Sequence, residues 1–313
     1  MSVAAGPVDR LNVGGEWDTV SELLKGADVQ LAKPHPIPDA QDAARLIDEL
    51  TNGHLRWTAG DDGVARLTLN RPEKLNAINR DMVRGLRAAV RLAEESPDVR
   101  VLIVAGEGRA FSAGGDLAEV NALVRDRAAF DGFLDEWHDA FDAIEACSKP
   151  VIGQVHGVAL AGGFELMQVC DVVIAARSAR LGDQHARFGL FPAGGGTQRL
   201  ARLIGLRRAT WMLVTGEAID ADTAERFGLV NRVVDDEELA AVVTETARSL
   251  SRLSPRATAA IKHALRVGEG LEVHEALRAE RPLALDHMAS DDAQIGFEAF
   301  RHRREPDFGG GQR

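Results

Sequence analysis

The chain has 313 residues, 45% of them apolar and 27% charged, with a formal net charge of −11. This is the composition of a folded globular chain of one or two domains, and it excludes a largely disordered polymer. Without a basic block, the net charge also excludes nucleic acid and anionic membrane as partners, because each needs a positive face. An anionic ligand would have to be held by local groups.

Two cysteines, Cys147 and Cys170, lie beside apolar stretches with neither metal-ligand nor Cys-x-x-Cys spacing. Buried, reduced thiols in a cytoplasmic protein are expected, with no metal and no cofactor. Asp9, Glu16, Asp18 and Glu22 stand where a targeting peptide would need a basic or apolar run, so no signal or transit peptide is expected. No apolar run reaches membrane-spanning length.

In chain order, residues 1 to about 55 form a distinct N-terminal extension. Two helix-like stretches, "EWDTVSELLKG" and "DAQDAARLIDELTNG", flank the proline-rich "AKPHPIPDA". They are read either as a partner-contacting arm or as packing on the protein's own surface. From Gly63, strand and helix alternate. "GVARLTLN" alternates in polarity and a helix follows from about Arg80. "VRVLIVAGEG" and "KPVIGQVHGVAL" read as buried strands, "AGGFELMQVCD" as a helix and "DVVIAA" as a strand. The alternation predicts an α/β fold with strands covered by helices. After Thr197 come "TQRLARLIG", "RRATWMLVTG" and "DADTAERFGL" as helices and "LVNRVV" as a strand. From Asp236 to about Arg303 the chain is nearly all helical, punctuated by Pro255, Gly268, Gly270 and Pro282.

Two glycine-containing turns follow predicted strands, "EGRAFSAGGDLAEV" and "HGVALAGGFELMQVCD". Small residues there let backbone N–H groups approach a ligand, and two such turns on neighbouring strands can aim two donors at one developing oxyanion. Glu165 lies three residues after Gly162, on the same helical face, leaning toward the turn. A first-turn glutamate also serves helix capping, and spacing does not separate the two roles. The run Gly194–Gly196 lacks a following Gly-Lys-Ser/Thr and is not a P-loop. No dinucleotide fingerprint opens a βαβ unit, which disfavours a redox enzyme.

"NRPEKLNAI", "GRAFSAGGDL", "KPVIGQVHGVALAGGFEL", "PAGGGTQRL" and "AFRHRREPDF" stand in the order found in the crotonase superfamily, and the chain resembles its enoyl-CoA hydratase/isomerase family from about Gly63 to Phe308. The resemblance implies a crotonase-like spiral of repeated ββα units over residues 56–250 and a C-terminal helical oligomerisation region over 251–313. It also implies homotrimers or hexamers, acyl-CoA thioester substrates and stabilisation of a thioester enolate. Coenzyme A enters only as part of the substrate. By motif match, Glu165 is the first catalytic carboxylate, and the oxyanion hole is the N–H groups of Ala113 and Gly162. Coenzyme A contacts fall on Lys74, Leu75, Ala77, Ser112, Gly114, Gly115 and Asp116, with Phe300, Arg303 and Arg304 near the adenine or ribose phosphate. Gly194–Gly196 becomes a tight turn beside the acyl pocket.

The pattern departs at one place. In "LGDQHARFG", His185 stands where hydratases of the family carry a second glutamate. Hydration needs a base for water and an acid for the α-carbon, and a Glu165–His185 pair supplies both. The same pair suits retro-Claisen C–C hydrolysis, a double-bond shift needs one base, and a non-catalytic acyl-CoA-binding protein needs neither. Either His185 or Asp183 faces the acyl group. His156 is expected to be structural, and His138 lies beside Trp137 on a helix that either lines the acyl pocket or, as an aromatic stripe more often does, belongs to the core.

Overall fold

A computed structural model describes residues 38–309. The first predicted helix, residues 16–26, and most of the proline-rich stretch lie outside them. The described chain opens with α1 (Ala40–Thr51), capped by the Asp39 side chain and ended by Asn52 in the left-handed region. Its buried Ala43, Ile47, Leu50 and Thr51 repeat at helical spacing. Through that face α1 packs on β1 (Leu55–Ala59) and α2 (Arg80–Glu95), so residues 40–51 cover the body of the protein. β1 is a strand beyond those expected, lying before the alternation predicted from Gly63.

The main sheet continues with β2 (Val64–Leu69), β3 (Val101–Gly106), β4 (Val151–Val155), β6 (Val172–Ala176) and β9 (Arg232–Val234), in the order β1-β2-β3-β4-β6-β9. Only β1 and β2 pair antiparallel; the rest are parallel. Val101–Ala105 of β3 are all buried, the unbroken apolar pattern of a parallel strand covered on both faces. On one face, Leu239, Val243 and Ala247 of α9 (Leu239–Ser251) pack on Val101, Ile103, Ile152 and Ile174.

The run "KPVIGQVHGVAL", expected as one strand, divides at Gly157. There φ is +58°, and a Cβ would come within 2.0 Å of the Arg109 carbonyl oxygen. Past that turn, β5 (Val158–Leu160) leaves the main sheet and pairs with β7 (Arg180–Gly182), which in turn pairs with β8 (Ile219–Asp220). Of the helices here, α5 (Gly162–Gln168) packs on β5 and α8 (Ala221–Phe227) on β7 and β8, while α3 (Leu117–Leu123) packs on α4 (Arg127–Ala146) and α6 (Gly196–Ile204) on α7 (Leu206–Thr215). The C-terminal helices are α10 (Pro255–Gly268), α11 (Val273–Met288) and α12 (Asp291–Arg301). Pro255 opens α10, as expected of a proline with no N–H to donate, whereas Pro282 lies inside α11 and does not end it.

Candidate active site

Three segments are stitched side by side and end at one edge. The loop after β3 runs along residues 75–78: Ala113 N–H donates to the Leu75 carbonyl at 2.9 Å, Ile78 N–H to Gly114 at 2.7 Å and Asp116 N–H to Ile78 at 2.8 Å. Buried Asn76 fixes this loop, donating to the carbonyls of Glu107 and Ala110 and accepting from Arg71 N–H. The same loop joins β5 through Ser112 N–H to Val158 and Leu160 N–H to Ser112, and Ala161 N–H reaches Gly182 at the end of β7. Gly115, Gly162 and Asp183 thereby arrive together at the carboxyl ends of parallel strands, where α/β folds bind ligands.

This geometry corrects the expected oxyanion pair. The Ala113 N–H is taken by Leu75 and cannot face a ligand. Two residues on, Gly115 N–H has no acceptor among the described residues, and its nitrogen lies 3.2 Å from where a Cβ on Gly162 would stand. Gly162 is the first residue of α5, where N–H groups have no intrahelical acceptor. Ala161, just before it, is held at φ +49°, an uncommon value for a residue with a Cβ. Gly115 and Gly162 therefore present adjacent N–H groups with no acceptor among the described residues.

Glu165 sits one turn into α5 and is only 2% exposed. Its Oε1 accepts from Gly196 N–H at 2.9 Å. A Cβ on Gly194 would stand 2.4 Å from Oε2, and one on Gly196 would stand 2.9 Å from Oε1. Gly194 and Gly196 therefore close directly on the carboxylate. Burial pushes its pKa up to about 7, against the opposing pull of His185 and the Gly196 N–H.

His185 opens a short 3-10 turn (His185–Phe188) beyond β7. Its Nδ1 lies 3.0 Å from both carboxylate oxygens of Asp183, which also accepts the His185 backbone N–H at 3.1 Å. Asp183 is fully buried, whereas the His185 side chain keeps 16% of its surface exposed. With Nδ1 donating to Asp183, Nε2 is the ring nitrogen left for chemistry. Burial depresses the imidazole pKa, but the Asp183 hydrogen bond and charge, with Glu165 adding, raise it above its ordinary value. Asp183 thus orients the histidine.

One helix organises the far wall. On α4, Trp137 is 5% exposed, and its ring meets the Cβ positions of Gly162 and Gly115 at one end and of Gly194 at the other. Next to it, His138 Nε2 donates to the Ala193 carbonyl at 2.6 Å. Arg199 of α6 donates to the Gly194 carbonyl at 3.0 Å while paired with Asp142 and Glu145 of α4. The stripe is core, with Phe133, Trp137 and Phe141 buried, and through Trp137 it also forms a wall beside Glu165 and the two glycine turns. What marks it in the sequence is an indole N–H, a donor that a purely apolar role does not require.

Among the expected coenzyme A contacts, Lys74, Leu75 and Ala77 lie on the strap beside Gly114 and Gly115. Leu75 is in the left-handed region at φ +51°, and Lys74 is exposed. Ser112 is buried, donating to the Asn76 carbonyl and accepting from Gly114 N–H. Asp116 caps α3 and pairs with Arg71 at 3.0 Å and Lys74 at 3.4 Å. Both side chains hold the loop in shape. Phe300, 87% exposed, and Arg303 sit at the end of α12, which packs on α11; this chain alone does not bring them to the strap. His156 donates to the Gly108 carbonyl at 2.8 Å.

Two unpaired N–H groups, a carboxylate with a raised pKa and a carboxylate-held imidazole can stabilise one oxyanion while moving two protons. Residues 59–312 match the family model described as enoyl-CoA hydratase/isomerase. The chain is 36% identical over 243 residues to the probable mitochondrial enoyl-CoA hydratase of Dictyostelium discoideum, covering 78% of this chain and 86% of that protein. It is 37% identical over 249 residues to the crotonyl-CoA hydratase of Syntrophomonas wolfei, covering 79% and 95%. The crystal structure of enoyl-CoA hydratase from Mycobacterium smegmatis superposes with a TM-score of 0.79 at 32% identity, over 82% of this chain and 99% of that one.

Proposed function

The chain belongs to the enoyl-CoA hydratase/isomerase family, and from that premise we propose that it adds water across the double bond of an α,β-unsaturated acyl-CoA thioester. In this reading the thioester oxygen accepts from the N–H groups of Gly115 and Gly162. Ionised Glu165 takes a proton from water as the water oxygen bonds to the β-carbon. The π pair of the double bond moves into the enolate, whose charge the two N–H groups hold. His185, protonated against Asp183, then delivers its Nε2 proton to the α-carbon, and proton exchange resets the pair.

The observation that carries this reading is the burial of Glu165 within electrostatic reach of the Asp183–His185 pair, beside the two free N–H groups. Both pKa values shift toward neutrality or above, which suits a base and an acid working together. Lys74 supplies a cation on the coenzyme A side. The 251–313 region is the subunit-contact region of a homotrimer or a dimer of trimers. Its exposed Ile261, Leu265, Leu277, Leu285 and Phe297 support that role. Phe300 and Arg303 would then meet the nucleotide end of a neighbour's coenzyme A. The unpaired thiols Cys147 and Cys170 fit a cytoplasmic setting.

Hydration of crotonyl-CoA, followed by loss of the conjugated thioester absorbance, tests the proposal. Glu165→Gln should lower kcat about 1000-fold, and unchanged turnover would remove Glu165 from the mechanism. A parallel incubation with a β-diketone acyl-CoA, read by mass spectrometry, tests the same pair for C–C hydrolysis.

A further inference from the structure

The indole nitrogen of Trp137 is buried and donates to no acceptor among the described residues. A buried N–H left unpaired is destabilising, and such groups in folded proteins call for a specific explanation. Its surroundings supply one. A Cβ on Gly194 would stand 2.6 Å from Trp137 Nε1 and 2.4 Å from Glu165 Oε2, so the two atoms are at most about 5 Å apart. No direct hydrogen bond joins them, and an oxygen within reach of both can accept from the indole and donate to the carboxylate. Glu165 Oε1 accepts from Gly196 N–H, the Gly194 N–H also bonds the carboxylate, and Oε2 is the oxygen on the side of Gly194 that the indole nitrogen shares.

The other end of the ring fixes its direction. Trp137 Cζ2 and Cη2 lie against the Cβ positions of Gly162 and Gly115, the glycines whose N–H groups are free. The indole therefore runs from the oxyanion donors to the carboxylate, alongside the path a thioester would follow from its oxygen to its β-carbon.

We propose that the Trp137 N–H holds the reacting water, accepting none of its protons but fixing its lone pair while the water donates to Glu165. A water oxygen accepts from Nε1–H and gives its own proton to Oε2, so its second lone pair is left to face the β-carbon. The inference rests on the hydration reading above. It assigns to Trp137 one of the two contacts that hold the reacting water, leaving His185 to the α-carbon.

Two replacements in the full chain test this. Trp137→Phe removes the N–H together with part of the ring. Incorporating 3-benzothienylalanine at position 137 exchanges only the N–H for sulfur and keeps the shape. For each, hydration of crotonyl-CoA is compared with exchange of the α-protons of butyryl-CoA in deuterium oxide, a step that uses the oxyanion donors and His185, takes its deuterium from solvent through His185 and adds no water to carbon. The sulfur isostere should lower kcat for hydration about 10- to 100-fold, with KM and α-proton exchange each changing less than about threefold. Three outcomes would overturn the assignment: hydration at the unaltered rate, equal loss of hydration and exchange, or a rise in KM alone, which would place the N–H on the acyl group. An unaltered enzyme that exchanges α-protons but does not hydrate would instead remove the hydration reading, and this inference with it.

Discussion

Two glycine runs frame the site, and they are used in opposite ways. In the Gly114–Gly115 run, after β3, one glycine turns the chain and the next leaves its N–H free toward the ligand side. In the Gly194–Gly196 run, before α6, the backbone closes on a side chain, and Gly196 donates to Glu165. Both present backbone where a side chain would obstruct. The first run leaves an N–H unpaired, while the second shapes the pKa and position of the Glu165 carboxylate. A glycine run therefore marks where backbone must approach something and leaves open what is approached.

The contrast can be broken most forcefully at Gly194. Gly194→Ala would push a methyl to 2.4 Å from Glu165 Oε2 and 2.6 Å from the Trp137 nitrogen. Steady-state assay of crotonyl-CoA hydration should show kcat lowered about 1000-fold through the displaced carboxylate. In the first run, Gly114→Ala meets the Ala161 methyl at 2.8 Å and must hold φ at +113°, so hydration should fall about 100-fold. Its neighbour should behave differently. A Cβ on Gly115 finds Val120 at 3.7 Å and Trp137 at 3.8 Å, ordinary contacts, so Gly115→Ala keeps the N–H and should stay within about threefold. Equal losses at 114 and 115 would contradict the division of labour between them.

The smallest effect is thermal. Glu165 has its pKa raised from 4.5 to about 7 in the folded chain. The folded state therefore binds that proton more tightly than the unfolded state, and the resulting stabilisation is complete below pH 4.5 and is lost as pH rises through about 7. Glu165→Gln carries no such dependence. Its Tm advantage over the unaltered protein should grow by about 5 °C between pH 4.5 and 7.5 in a calorimetric series. A constant difference would mean that the carboxylate is not the buried group described.

Much of this arrangement was legible in the sequence. The parallel strands and the place of Glu165 in the first turn of the helix that Gly162 opens follow from apolar runs and helical spacing. The choice between Ala113 and Gly115 did not. It depends on the pairing of residues 113–116 with 75–78, and the positive φ at Gly114 changes which N–H is left over. The small sheet was hidden because Gly157 breaks what reads as one apolar strand. Trp137 was hidden by distance, since nothing local links position 137 to positions 162 and 194. Asp183 and His185 stood two residues apart in plain view, and only burial distinguishes the orienting group from the oriented one.

The 20-residue helix α4 carries Trp137, the His138 contact to Ala193 and the Asp142 and Glu145 grip on Arg199. Each added residue would rotate everything beyond it by about 100°. An insertion between 137 and 145 would thus separate the indole from the loop it faces, whereas an exchange of side chain at 137 leaves the grip at 142 and 145 untouched. Such a helix can diversify by substitution but not by length, so a lineage built on this scaffold can explore new acyl groups one position at a time while the register of its chemistry stays fixed.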